Sequence, residues 1–126
     1  MHFAKSVVFN RENTMLEKTD KTLQNSALQG ILEQENFMIK VLFICHGNIC
    51  RSTMAQSIFT HLVHRQHLDT VFEIDSAATS REEIGNPPHY GTKNKLYEEH
   101  IPLIPHRARQ MTRDDYLYYD FLIGMD

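Results

Sequence analysis

Cys45 and Arg51 are separated by five residues in the segment 45–52, whose sequence is CHGNICRS. A cysteine can act as a nucleophile, and the planar guanidinium of an arginine can bind two oxygens of a phosphoryl group at once. Gly47 and Asn48 are residue types that tolerate left-handed backbone conformations, so the segment can curl and direct its amide N–H groups inward. The segment therefore predicts a phosphate-binding loop with a thiol beside it.

The charge environment of this loop also favours chemistry at Cys45. An amphipathic helix is predicted to begin near Ser52, and the positive end of its dipole would lie beside the inward-pointing amides. Helix N-termini and nearby cationic groups favour the thiolate form of a cysteine. These residues predict attack of Cys45 on a phosphate monoester, with transfer of the phosphoryl group to sulfur.

Secondary-structure patterns place the loop at the end of a buried strand. Residues 38–44 are almost continuously apolar and rich in β-branched side chains, as expected for a strand covered on both faces. Helices are predicted at 53–66, at 92–99 and from residue 112, with further strands at 71–77 and 119–125. This alternation predicts an α/β fold, an open and mostly parallel sheet with helices on both faces, whose ligand site lies at the carboxyl ends of the strands.

The helix predicted at 53–66 has an apolar face and a polar face. Its buried face is predicted to consist of Met54, Ile58, Phe59 and Leu62, which recur at helical spacing. The residues assigned to solvent are Gln56, His64 and Arg65. Farther along the chain, Thr112 is predicted to cap a helix whose first turn carries Asp114 and Asp115.

The composition changes near residue 38 and divides the chain. Residues 1–37 are predicted to form an N-terminal extension that is helical over 14–35, with Thr14 as its N-cap and a thin apolar stripe. Residues 7–9 form an apolar patch that is too short for the core of a signal sequence. Residues 38–126 are predicted to hold the domain that carries the loop.

The overall composition narrows the class of protein. The 126 residues suffice for one modest domain, and their formal net charge is −3 with scattered basic residues, which argues against nucleic acid or an acidic membrane face as a partner. No apolar run approaches membrane-spanning length. Cys45 and Cys50 are the only cysteines, which argues against a disulfide-stabilised secreted fold and favours a cytoplasmic protein.

The longer segment 41–52, with the sequence VLFICHGNICRS, closely resembles the opening of the low-molecular-weight protein tyrosine phosphatases. The resemblance continues in the same order through DSAA at 75–78, GNPP at 85–88, HRARQ at 106–110 and DFLIGMD at 120–126. It covers residues 38–126. It implies a phosphatase of that fold, which hydrolyses phosphotyrosine through a phosphocysteine intermediate.

The resemblance assigns roles to residues by position. It implies that Cys45 is the nucleophile and that Arg51 binds the phosphoryl group. It implies that the phosphate-binding loop comprises His46, Gly47, Asn48, Ile49, Cys50, Arg51 and Ser52. Asn48 would hold the loop in shape through hydrogen bonds with Ser76 and His106, and Ser52 would stabilise the thiolate. Cys50 would protect an oxidised nucleophile by forming a disulfide with it.

Two positions near the loop depart from the family pattern. Thr53 stands where the family usually has proline, a substitution with a small cost at the first turn of a helix. Glu82 falls where many members place an aromatic residue on the substrate rim. A carboxylate at that position would not stack against a tyrosine ring, so substrate preference stays open.

The end of the sequence departs further from the family. Members supply a general acid from an Asp-Pro-aromatic motif, and no Asp-Pro pair occurs in the 126 residues. Loss of a positioned proton donor costs about 10²- to 10⁴-fold in rate, so slow turnover is expected of these 126 residues. The family's last strand and C-terminal helix also lack a counterpart, so a truncated sequence is expected, with the strand at 119–125 left as an exposed edge.

Two other functions are open. The chain could be a catalytically impaired phosphate- or phosphotyrosine-binding fragment, or a pseudophosphatase, in keeping with the absent acid. Arsenate reduction uses a similar loop but needs further cysteines to pass the disulfide outward, and none follows Cys50.

The expected partners follow from the phosphatase prediction. They are a phosphotyrosine protein or a small aryl phosphate, with inorganic phosphate as the product and with no cofactor, nucleic acid or membrane. No metal site is expected, because His61, His64 and His67 are spaced three apart and drift around the predicted helix.

Overall fold

The computed structural model describes residues 6–10 and 37–125. Their strands form one sheet, which contains β1 (Ser6–Asn10), β2 (Ile39–Cys45), β3 (Phe72–Ala78) and β4 (Phe121–Met125). The strand order is β1-β4-β2-β3, and β2 runs parallel to both β3 and β4, whereas β1 runs antiparallel to β4. The prediction of an open, mostly parallel α/β sheet is confirmed.

The helices of the described residues are α1 (Arg51–Arg65), α2 (Tyr90–Glu98) and α3 (Arg113–Tyr118). Helix α1 covers one face of the sheet, where Val41 and Phe43 of β2 pack against Ala55 and Phe59. The Phe59 ring lies edge-on to the rings of Phe43 and Phe72, at centroid distances of 5.8 and 5.4 Å. In the described part of the chain, no helix has the length and apolar character needed to cross a membrane.

The opposite face of the sheet has its own apolar cluster. It consists of Leu42, Ala77, Tyr119 and Leu122, with Ile44 and Met111 packed against it. Helix α3 begins beside this face with the predicted cap, since Thr112 Oγ1 accepts from the Asp115 N–H at 3.2 Å and Asp115 Oδ2 accepts from the Thr112 N–H at 2.8 Å. Helical segments therefore flank both faces.

Strand β1 lies along the edge that we expected to be exposed. Ser6 is opposite Met125 and Asn10 is opposite Phe121, so the pairing runs the full length of β4. The expectation of an open edge at β4 is wrong, because β1 occupies that edge. The sequence over 7–9 is Val-Val-Phe, and β-branched and aromatic residues favour strands. The helix predicted over 14–35 lies outside the described residues.

The carboxyl ends of the three parallel strands meet at one edge of the sheet. Cys45 ends β2 and pairs with Ala78 at the end of β3, while Ile44 pairs with Gly124 near the end of β4. A single bridge between Ala78 and Gln110 brings the segment 106–111 to the same edge. This edge is where an open α/β sheet places a ligand.

Candidate active site

The thiol of Cys45 is buried at the start of the loop that joins β2 to α1, with the residue 4% exposed. Its Sγ accepts a hydrogen bond from the Asn48 N–H at 3.2 Å and lies 3.0 Å from Ser52 Oγ. Ser52 Oγ already accepts from Asn48 Nδ2 at 2.8 Å, so its own hydrogen is available to donate to sulfur. Two hydrogen-bond donors therefore converge on the sulfur of Cys45.

Asn48 is the central anchor of the loop. It is fully buried and its φ is +58°, a left-handed conformation that asparagine adopts more readily than most residues. Its Nδ2 also donates to Ser76 Oγ at 2.9 Å, and its Oδ1 accepts from the Arg109 N–H at 3.2 Å. The side chain thereby ties the loop to β3 and to the segment that passes its end.

His106 completes the hydrogen bonding of Asn48. Its Nε2 lies 2.7 Å from Asn48 Oδ1, and because that oxygen is an acceptor the hydrogen is on Nε2. Burial lowers the pKa of His106 below its ordinary value, and this effect outweighs the opposing charge of Asp75, whose Oδ1 lies 3.7 Å from Nδ1. A neutral imidazole with its hydrogen on Nε2 keeps the bond to Asn48.

Gln56 belongs to the same buried network. Its Oε1 accepts from Ser76 Oγ at 2.6 Å, and Gln56 is 5% exposed. The assignment of Gln56 to solvent is wrong, because it lies one helical turn after Ser52, on the side of α1 that meets β3. The sequence did carry a signal for this position, because Gln56 follows Ser52 of the loop by four residues and therefore lies on the same side of the helix.

Arg109 holds the far side of the network, and sequence reasoning gave it no role of its own. Its guanidinium donates to both oxygens of Asp115, at 2.7 and 3.0 Å, and to Asp75 Oδ2, at 3.2 Å from Nε and 3.0 Å from Nη2. The hydrogen bond to Asp115 raises the pKa of the guanidinium. Burial opposes ionisation of Asp115, but bonds from Arg109 and Thr112 hold its pKa below the usual value. The pairing of Arg109 with Asp115 therefore holds the Arg109 backbone in place, so that its N–H donates to Asn48.

Arg51 is the first residue of α1, and its guanidinium extends across the carboxyl edge of the sheet. Its Nη1 lies 3.4 Å from the carbonyl oxygen of Met125, at the end of β4. Cys45 lies at the end of the neighbouring strand β2. The guanidinium is therefore at the same edge as the thiol.

The exposed side of the loop meets residues 79–83, which we call the rim segment. The Thr79 and Ser80 N–H groups donate to the carbonyl oxygens of Cys45 and His46, at 2.9 and 3.1 Å. His46 Nε2 and Glu82 Oε2 lie 3.0 Å apart, within hydrogen-bond distance, and the two side chains are 61% and 70% exposed. Next to it, a Cβ added to Gly47 would lie 3.4 Å from Cγ of Glu83. Two acidic residues therefore line the exposed side of the loop.

Cys50 and Thr53 lie where the loop becomes helix α1. Cys50 occupies the N-cap position, is partly buried, and is a free thiol like Cys45. Thr53, which stands where the resemblance expects proline, is 1% exposed and donates from Oγ1 to the Cys50 carbonyl oxygen at 3.1 Å. The hydroxyl of Thr53 thus adds a bond that proline could not make.

The histidines of α1 and the turn after it are apart from this site. His64 Nδ1 pairs with Asp69 at 2.9 Å. Within residues 37–125, no three His, Cys, Asp or Glu side chains are grouped so that they could hold a metal ion.

Comparisons with known proteins agree on one family. A family model described as low molecular weight phosphotyrosine protein phosphatase matches residues 40–126. The curated protein of that name from Pongo abelii is 46% identical over 86 residues, which cover 68% of this chain and 54% of the relative. The low molecular weight protein-tyrosine-phosphatase YfkJ of Bacillus subtilis is 45% identical over 89 residues, which cover 71% and 57%.

A solved structure supports the same likeness. The crystal structure of YfkJ from Bacillus subtilis matches with a TM-score of 0.71 and 43% identity, covering 74% of this chain and 58% of that one. The chain spans about half the length of the curated relatives it matches.

Proposed function

The chain belongs to the low molecular weight phosphotyrosine protein phosphatase family, and from that premise we propose that it hydrolyses phosphotyrosine monoesters through a phosphocysteine intermediate on Cys45. The observation that carries this proposal is the convergence of the Asn48 N–H and the Ser52 hydroxyl on Cys45 Sγ. A buried thiol with two donors aimed at it is suited to be a thiolate nucleophile.

The first step transfers the phosphoryl group to sulfur. The thiolate of Cys45 attacks phosphorus, the S–P bond forms, and the P–O bond to the tyrosine oxygen breaks, with its electron pair leaving on that oxygen. Apart from the Asn48 N–H, which donates to sulfur, the main-chain amides of residues 46–51 stabilise the phosphoryl oxygens together with the N-terminus of α1. Water then attacks phosphorus, which releases inorganic phosphate and regenerates the thiolate.

Arg51 is proposed to bind the transferring group. Its planar guanidinium can hold two phosphoryl oxygens and follow them as the geometry at phosphorus flattens. Its position at the carboxyl edge, beside the ends of β2 and β4, supports this role.

The buried network is proposed to keep the loop in its reactive shape. Asn48 in a left-handed conformation aims its N–H at sulfur, and Ser76 and His106 hold its side chain in place. Because the network is assembled from three separate segments, the loop does not have to reorganise when charge develops on the phosphoryl oxygens.

Other roles follow from the same proposal. Cys50 protects an oxidised Cys45 by disulfide formation, which stops oxidation before its irreversible steps. The substrate is a phosphotyrosine protein or a small aryl phosphate, with no cofactor. We place the protein in the cytoplasm, because both cysteines at the site are free thiols and the cytoplasm keeps thiols reduced.

Turnover of two substrates tests the function. We expect hydrolysis of free phosphotyrosine and of p-nitrophenyl phosphate, whose leaving group needs little protonation, and we expect Cys45→Ser to abolish both. Hydrolysis of p-nitrophenyl phosphate alone would indicate a phosphatase without an effective proton donor. If the chain hydrolyses neither substrate but still binds phosphate, the phosphatase proposal is wrong and the chain is a binding module.

A further inference from the structure

We propose that segment 14–35 of this chain packs on the α1 side of β4 and covers apolar surface that the described helices leave partly open. The segment belongs to the connection between β1 and β2, residues 11–36, which lies outside the described residues. The proposal concerns a contact of the chain with itself and does not depend on the chemistry at Cys45.

The two faces of β4 are buried to different extents. On the face opposite α1, Leu122 is 4% exposed and belongs to the apolar cluster there. On the α1 side, Phe121, Ile123 and Met125 pack against the cluster beneath the helix but are only partly buried. Helix α1 packs mainly against β2 and β3, so β4 lies beside the area that it covers. An apolar sheet face needs a further layer against it, and the α1 side of β4 is where that layer is incomplete.

Both ends of the connection lie at the edge of the sheet where β4 begins. Asn10, the last residue of β1, is opposite Phe121, and Phe121 is also opposite Val41 of β2. Because β1 and β2 are the two neighbours of β4, the gap between them is about 10 Å, which about three extended residues can span. Residues 11–36 are far more than this gap requires, and they leave and rejoin the sheet on either side of β4.

The length of the connection suits a helix along β4. A strand of 5 residues is about 17 Å long, and a helix covers that distance with about 11 residues. Residues 11–36 therefore have room for such a helix and for the return to the start of β2.

The sequence of the segment supplies a matching apolar side. Leu16, Leu23, Ala27 and Ile31 are separated by seven, four and four residues, which places them on one side of the predicted helix. A stripe of this kind needs an apolar surface to pack on. The partly buried side chains of β4 offer one next to the points where the segment is attached.

Photo-crosslinking from β4 tests the proposal. Phe121 is replaced by p-benzoylphenylalanine, and the peptides joined on irradiation are identified by mass spectrometry. Links to residues 6–13 are disregarded, because Asn10 is paired with position 121. Mixing isotope-labelled and unlabelled chains separates links within a chain from links between chains. We expect links from position 121 to residues 14–35 of the same chain.

A matched control carries the same group on the other side of the sheet. Tyr116 of α3 is 50% exposed and lies near Met111, which packs on the face opposite α1. p-Benzoylphenylalanine at position 116 should not link to residues 14–35.

Two substitutions show whether the apolar stripe makes the contact. Leu23→Asp places a charge in the stripe, so the yield of the link should fall about fivefold and amide hydrogen exchange in β4 should become about tenfold faster. Asn25→Asp introduces the same side chain on the opposite side of the predicted helix and should change neither. If Leu23→Asp prevents folding, Leu23→Ala should give a smaller fall of the same kind.

Three results would overturn the proposal. Links from position 121 found only between chains would assign the surface to a second copy of the protein. A chain in which position 121 does not link to residues 14–35 would leave the segment elsewhere. Equal effects of the substitutions at positions 23 and 25 would show that the apolar stripe does not make the contact.

Discussion

The two sides of the phosphate-binding loop are held by different physical interactions. On the inner side, Asn48, Ser52 and Ser76 are fully buried and joined by short hydrogen bonds. On the outer side, the His46–Glu82 pair is mostly exposed, and such pairs contribute little to stability. From this difference we expect the inner side to hold the loop in shape and the outer side to contribute little to stability.

The largest expected effect is at Arg51, whose guanidinium is proposed to bind the phosphoryl group. Arg51→Lys keeps the positive charge but loses the bidentate fork, and we expect kcat for p-nitrophenyl phosphate to fall by about 10²- to 10³-fold. Arg107→Lys is the matched control at an exposed position, and it should retain most of the activity. A similar rate in both variants would remove Arg51 from the proposed mechanism.

Asn48 tests the inner side most directly. Asn48→Ala removes the side chain that bonds Ser52, Ser76, His106 and the Arg109 N–H, and it places alanine at a positive φ. We expect the free energy of unfolding, measured in urea, to fall by about 2–4 kcal/mol. His46→Ala on the outer side should change it by less than about 0.5 kcal/mol. Equal losses would erase the contrast between the two sides.

Ser52 tests the stabilisation of the thiolate. In a Cys50→Ala background, Ser52→Ala should slow alkylation of Cys45 by iodoacetamide at pH 6 by about fivefold to tenfold, because one donor to sulfur is lost. Ser57→Ala, on the same helix, removes a buried hydroxyl that accepts from the Ile104 N–H and does not bond the sulfur. Unchanged alkylation in Ser52→Ala would show that the hydroxyl does not serve the thiolate.

The smallest expected effect is the pH dependence contributed by His106. Burial holds its folded pKa below the ordinary value of 6.5, so the unfolded chain binds the proton more readily. Its contribution to stability is therefore fully present above pH 6.5 and is lost as the pH falls below that value. Between pH 7.5 and 5, the urea midpoint should fall more in the native chain than in His106→Asn. An equal fall would contradict the assignment.

Local patterns predicted much of this architecture. The apolar run before Cys45, the periodicity after Ser52 and the Thr112 cap led to β2, α1 and α3 within a few residues of their observed bounds. These features depend on neighbours in sequence, so the residue types are sufficient to predict them. The bonds expected among Asn48, Ser76 and His106 are present, and their role in catalysis stays a prediction.

Long-range partners could not be predicted in the same way. Gln56 is predicted to face solvent by its periodicity, but it lies on the side of α1 that meets β3, where Ser76 donates to it. Arg109 acts through Asp75 and Asp115, which approach it from β3 and α3. Strand β1 pairs with β4, more than 100 residues later in the chain. Each of these contacts joins segments that are distant in sequence, so no local sequence pattern predicts it.

The central claim is that Cys45 carries the phosphoryl group during turnover. Rapid quenching of the chain with p-nitrophenyl phosphate, followed by mass spectrometry of its peptides, measures this directly. We predict a transient phosphoryl adduct on Cys45 that forms with a burst of p-nitrophenol and is absent from Cys45→Ser. Turnover without an adduct, or an adduct on any other residue, would contradict the account.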